Sequence, residues 1–82
     1  MNTLDRLTDL HPVSIVRVEA PAHAPEWHGW LEEIGFLPGE PVCVMARAPG
    51  GDPLVVRVGT STFALRRSEA ACVHVSADGV AA

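Results

Sequence analysis

The spacing of hydrophobic residues switches from a helical to a strand period at Pro38-Gly39. Before it, Trp27, Trp30, Leu31 and Ile34 recur at the i, i+3, i+4, i+7 interval of one buried helical face. Pro25 and Glu26 suit the first turn of that helix, and Gly35 is placed to stop it in the left-handed conformation at C′. Leu37-Pro38-Gly39-Glu40 then reads as a type II turn, with Pro at i+1 and Gly at i+2. Beyond it the period is two. Val42, Val44 and Ala46 alternate with Cys43, Met45 and Arg47, and Leu54, Val56 and Val58 alternate with Val55 and Arg57. Pro49-Gly50-Gly51-Asp52-Pro53 joins these two strands as a hairpin loop.

Three more strands are predicted. Val13–Val18 is β-branched and precedes a loop from Glu19 to Pro25. Gly59-Thr60-Ser61 turns into a short strand over Thr62–Arg66, with Phe63 and Leu65 on its apolar side. Arg67–Ala70 reads as one helical turn, and Ala71–Ser76 as the fifth strand, with Val73 and Val75 inward and Cys72 and His74 outward. Near the N-terminus, Thr3–Leu7 forms a helical turn placing Leu4 and Leu7 on one side, and Ala77–Ala82 is a frayed tail. The predicted core comprises Ile34, Val42, Val44, Leu54, Val56, Val58, Leu65, Val73 and Val75. Five short strands with compact turns favour a closed β-barrel with one inserted helix, because closure removes unpaired edges. Periodicity does not choose between an SH3-like and an OB-like barrel.

Length and charge narrow the function. The 82 residues make one domain, 1–82, with a core over about 13–76. A net charge of −4 argues against nucleic acid as partner and against a polybasic membrane-surface protein. No apolar run reaches the roughly 20 residues of a membrane span, so no direct membrane insertion is expected, and no signal peptide is evident. Cys43 and Cys72 form no CxxC pair, which fits a reducing cytoplasm.

Chemistry-bearing constellations are sparse. No serine sits in a nucleophile elbow and the Gly50-Gly51 loop lacks the rest of a P-loop, so no enzyme is expected. His28 and Glu32 lie at i, i+4 on one helix face, a spacing that chelates a divalent ion. Cys72 and His74 are expected on one face of a strand. Neither pair supplies three or four ligands. No cofactor is required, and any Fe²⁺ or Zn²⁺ is expected to bind weakly at the surface through His28 and Glu32. Arg66 and Arg67 are the only basic pair and read as a solvated strand end or a charged contact rim.

Three segments in series resemble the FeoA family. Trp30-Leu31-Glu32-Glu33-Ile34-Gly35-Phe36-Leu37-Pro38-Gly39 is similar to its "L..LG(F/M)xPG" segment. Ala48-Pro49-Gly50-Gly51-Asp52-Pro53-Leu54 is similar to its "AP-x-GDP-(I/L)" hairpin. Phe63-Ala64-Leu65-Arg66-Arg67-Ser68-Glu69-Ala70 is similar to its "ALR-x-x-(E/D)A" turn. The resemblance covers residues 13 to 76. It implies an SH3-like barrel and an accessory role in bacterial ferrous-iron uptake. The partner it implies is the FeoB ferrous-iron permease, contacted at its cytoplasmic GTP-binding part, with modulation of GTPase or transport activity. The alternative is a metal-binding regulatory or iron-chaperone module. The expected location is the cytoplasm, or the membrane surface through FeoB, as a monomer or weak dimer. The expected contact residues are Phe36 and Leu37 as apolar anchors or core caps, Pro49 and Asp52 in the hairpin loop, and Arg66 with Arg67 as a charged rim.

Overall fold

A computed structural model describes residues 2–7 and 9–76. Six strands, two α-helices and two short 3₁₀ turns are present among them. The strands are β1 (Asn2–Thr3), β2 (Val13–Val18), β3 (Pro41–Arg47), β4 (Leu54–Val58), β5 (Ser61–Leu65) and β6 (Val73–Val75). Helix α1 spans Glu26–Glu33 between β2 and β3, and α2 spans Arg67–Ala70 between β5 and β6. All strand pairings are antiparallel, in the order β1-β6-β2-β3-β4-β5. Inward residues of β2, β3, β4, β5 and β6 meet in one core with Leu31 and Phe36.

The SH3-like architecture holds, with two differences from expectation. The sheet is not closed by hydrogen bonds, since β1 and β5 stand at its two ends. A sixth strand, β1, precedes the expected helical turn, which forms at Leu4–Arg6. Leu4 and Leu7 are both buried in the core, so the core reaches N-terminal of residue 13. Arg47 fastens this segment to β3. Its guanidinium pairs with Asp9 at 2.7 Å and donates to the carbonyls of Asp5, at 3.0 Å, and of Leu7. The Leu10 N–H donates to the Val44 carbonyl at 2.7 Å.

The end of α1 follows from local backbone chemistry. Gly35 has φ +120°, a region that side chains other than glycine's rarely enter. This lets the Gly35 N–H reach the Glu32 carbonyl at 3.1 Å and the Phe36 N–H reach the Leu31 carbonyl at 3.0 Å. These are the two bonds of a Schellman ending, whose accompanying apolar contact joins C3 to C″, here Leu31 and Phe36. Both side chains are fully buried. The turn that follows closes through the Glu40 N–H on the Leu37 carbonyl at 3.0 Å, with Gly39 at φ +90° as type II requires.

Two burial expectations are corrected. Trp30 is exposed, because the buried direction of α1 runs along Trp27, Leu31 and Ile34 and leaves Trp30 at its margin. Ile34 itself is only partly buried, packed against the core. Ala46 faces solvent, because the register of β3 on β4 shifts between Val44 and Ala46, and the extra residue of this bulge, Met45, breaks the alternation. The other eight predicted core residues are buried.

Candidate functional site

The corner where β5 runs into α2 is built by two carboxylates. A helix start leaves backbone N–H groups without intrahelical acceptors. Here the Glu69 carboxylate reaches back to the Arg66 N–H at 2.8 Å, the half of a capping box that an acid at N3 supplies. The Asp52 carboxylate, arriving from the β3–β4 loop, accepts from the Arg67 N–H at 3.2 Å. Asp52 thereby joins the hairpin loop to the start of α2. Removing this acceptor as Asp52→Ala is expected to lower stability by about 1 kcal/mol, the usual cost of a lost helix cap. Thermal unfolding checks it, and Asp52→Asn, which keeps an acceptor oxygen, is expected to fall close to wild type.

Beside this corner lies a shallow, open groove of about 540 Å³ lined by Trp30, Asp52, Pro53, Ala64, Arg66 and Glu69. Helix α1 supplies the indole, which is 40% exposed. Both carboxylates of the groove are engaged by backbone N–H groups. Among the described residues neither Arg66 nor Arg67 has an ion-pair partner. The groove thus offers an aromatic face and a proline for apolar contact, and a guanidinium for an acid.

The expected contact residues divide. Asp52 and Arg66 meet in this groove, with Arg67 adjoining at the first residue of α2. Pro49 and Leu37 are exposed and do not line it. Of the two readings of Phe36 the core cap holds: it is fully buried, its ring 6.2 Å from that of Phe63, and it is not a surface anchor. His28 Nδ1 lies 3.6 Å from Glu32 Oε1 on the exposed side of α1. No group of three or more His, Cys, Asp or Glu that could hold a metal occurs among the described residues. Cys72 and His74 do not form a pair. Cys72 precedes β6 and is buried, its thiol donating to the Ser68 carbonyl at 3.4 Å. Burial first, then the Glu69 and Asp5 carboxylates, push that thiol's pKa up. His74 instead meets Glu19, with Nε2 2.9 Å from Oε1.

Sequence reasoning missed Trp30 as a surface residue and Glu69 as a cap. The Arg66-to-Glu69 interval is the capping-box spacing, so the second was detectable.

The FeoA domain family model matches residues 2–77. The chain belongs to the FeoA family. The family is associated with ferrous-iron transport. The FeoA of Stenotrophomonas maltophilia, an SH3-domain protein crystallised with zinc, is 38% identical, with 96% of this chain and 94% of that chain covered and a TM-score of 0.88. Iron(II) transport protein A of Clostridium thermocellum is 37% identical over 89% of this chain, with a TM-score of 0.78, and the match spans 43% of that longer chain. A manganese-dependent transcriptional repressor, 19% identical over 90% of this chain and 40% of its own with a TM-score of 0.76, shares the fold alone. No curated protein matches the chain significantly. Two of the FeoA-like sequence segments, the Gly-Asp-Pro loop and the Ala-Leu-Arg turn, are joined directly by the Asp52–Arg67 hydrogen bond. No helix among the described residues is long and apolar enough to cross a membrane.

Proposed function

We propose that this FeoA-family chain supports ferrous-iron uptake by docking onto the cytoplasmic part of the FeoB permease and modulating its GTPase or transport activity, with no chemistry of its own. The observation that carries this reading is the exposed Trp30 indole beside the Arg66 guanidinium, which has no ion-pair partner among the described residues. Trp and Arg are the residue types that most often dominate interface energetics. Contact at the cytoplasmic face places the protein in the cytoplasm and brings it to the membrane only through FeoB.

Trp30→Ala and Arg66→Glu are expected to weaken binding to the FeoB cytoplasmic domain by about 2 kcal/mol each, roughly thirtyfold. The melting temperature should be nearly unchanged, since both side chains are exposed. Calorimetric titration of that domain, with and without GTP, measures this alongside iron uptake in cells. Folded variants with wild-type binding and uptake would refute the reading. A second reading, weak metal binding, is favoured by the His28–Glu32 pair. Two ligands predict low affinity, and a submicromolar Fe²⁺ or Zn²⁺ site lost in His28→Ala would instead support the iron-chaperone role.

A further inference from the structure

The sheet ends on β5, and that edge carries unusual opportunity. The hairpin from β4 to β5 turns through Gly59-Thr60 and pairs Val58 with Ser61, Val56 with Phe63 and Leu54 with Leu65. Across a two-residue hairpin loop the closing pair exchanges both main-chain hydrogen bonds, and bonded and non-bonded pairs then alternate. The non-bonded residues are Thr62 and Ala64, whose N–H and C=O groups therefore point away from β4. Among the described residues no strand lies on that side, and no other backbone or side-chain hydrogen bond reaches these groups. Proteins usually blunt such an edge with lysine, proline, a bulge or extreme shortness. The opposite edge, β1, is only two residues long. β5 is Ser-Thr-Phe-Ala-Leu, with no charge, no proline and no register shift against β4.

We infer that β5 is a strand-addition site: an extended segment of a partner protein, with acidic and apolar residues in alternation, pairs with the Thr62–Ala64 edge and lays the acidic side chains of one face into the groove. This deepens the docking reading above and rests on it. Main-chain pairing supplies affinity in such recognition, and pockets for alternate side chains supply selection. The side-chain chemistry follows from the groove. Ala64 leaves space at the edge, Trp30 offers an apolar face, and Arg66 continues the strand direction. The Asp52 and Glu69 carboxylates are turned onto backbone amides, and the Arg66 and Arg67 guanidiniums have no ion-pair partner among the described residues, so the donors left open at the end of β5 are cationic. Complementarity therefore selects an acidic segment.

The test separates the mode of binding from the identity of the partner. The ¹⁵N-labelled full chain is titrated with the capped peptide Val-Glu-Val-Glu-Val-Glu and with its lysine counterpart, and then with the FeoB cytoplasmic domain. The glutamate peptide is expected to shift the Thr62 and Ala64 amides, slow their exchange with water, and bind at least about tenfold more tightly than the lysine peptide. Ala64→Pro removes only an outward-facing N–H, which an edge strand tolerates, and is expected to abolish these effects in a folded protein. Arg66→Glu, which leaves the backbone untouched, should reverse the peptide preference. The inference is overturned if neither peptide perturbs Thr62 and Ala64, or if folded Ala64→Pro binds like wild type. It is also overturned if those amides are already protected in a self-associated protein, which would make the occupant a second copy. If the peptide protects the edge and the FeoB domain does not, strand addition stands and FeoB falls as its partner.

Discussion

Phe36→Ala is expected to destabilise the fold by about 3–5 kcal/mol, the range for emptying an aromatic site in a packed core. Leu37→Ala, one residue along, should change it by no more than about 0.5 kcal/mol. The contrast rests on the Schellman ending of α1. The Phe36 N–H is tied to the Leu31 carbonyl, which turns its ring inward beside Leu31 and Phe63, while Leu37 opens the next turn and is 42% exposed. Small domains have total stabilities of about 5–15 kcal/mol, so the first substitution removes much of the margin. Urea unfolding of the two variants measures both. Equal losses would show that Leu37 packs as Phe36 does.

The second large effect is expected at the opposite end of the chain. Leu4→Ala should cost about 2–5 kcal/mol, although Leu4 lies in a three-residue 3₁₀ turn next to the N-terminus. Its side chain is fully buried in the same cluster as Val13, Ile15 and Val75. The segment cannot easily swing away to relieve a cavity there, because Arg47 grips its backbone at Asp5 and Leu7. Chemical unfolding reads the loss, and a Leu4→Ala protein as stable as wild type would show that the segment is an ornament on the core. Leu4→Met, which nearly conserves volume, is expected to lose less than about 1.5 kcal/mol.

The parts of the fold legible in the sequence are those where a local rule and the tertiary structure agree. Val13–Val18, Leu54–Val58 and Arg67–Ala70 appear in the structure with the boundaries their patterning predicts, because β-branched runs and Pro/Gly turns act locally. Gly35 and Gly39 announce the end of α1 and the turn into β3 for the same reason. The misreadings arise where geometry is decided at a distance. The Met45 bulge leaves no mark in residue type, yet it breaks the alternation of β3 at Ala46. An eight-residue helix buries only a narrow stripe, and periodicity alone assigned Trp30 to it when the sheet selects the side of Leu31. Arg47 reads as a strand-end cation, and only the fold reveals three acceptors from the N-terminal segment around it. At the candidate site the polar components, Asp52 and Arg66, were visible as motif residues. Their division of labour was not, because it depends on which acceptor reaches which backbone amide.

The place of β6 in the sheet sets the order in which this chain can acquire its structure. The last strand in sequence lies between the first two, β1 and β2, and bonds to both. During synthesis β2, β3, β4 and β5 can pair as they emerge, since each follows its neighbour along the chain. β1 has no partner until Val73–Val75 has been made. Until then Leu4 and Leu7 lack the Val73 and Val75 side chains of their core, and the β1–β6 contact to be closed spans about seventy residues, which slows its closure. Pairing of β1 therefore waits on Val73–Val75. A chain truncated before Val73 is expected to be cut by protease at its N-terminal segment faster than the full chain, as limited proteolysis of the two would show.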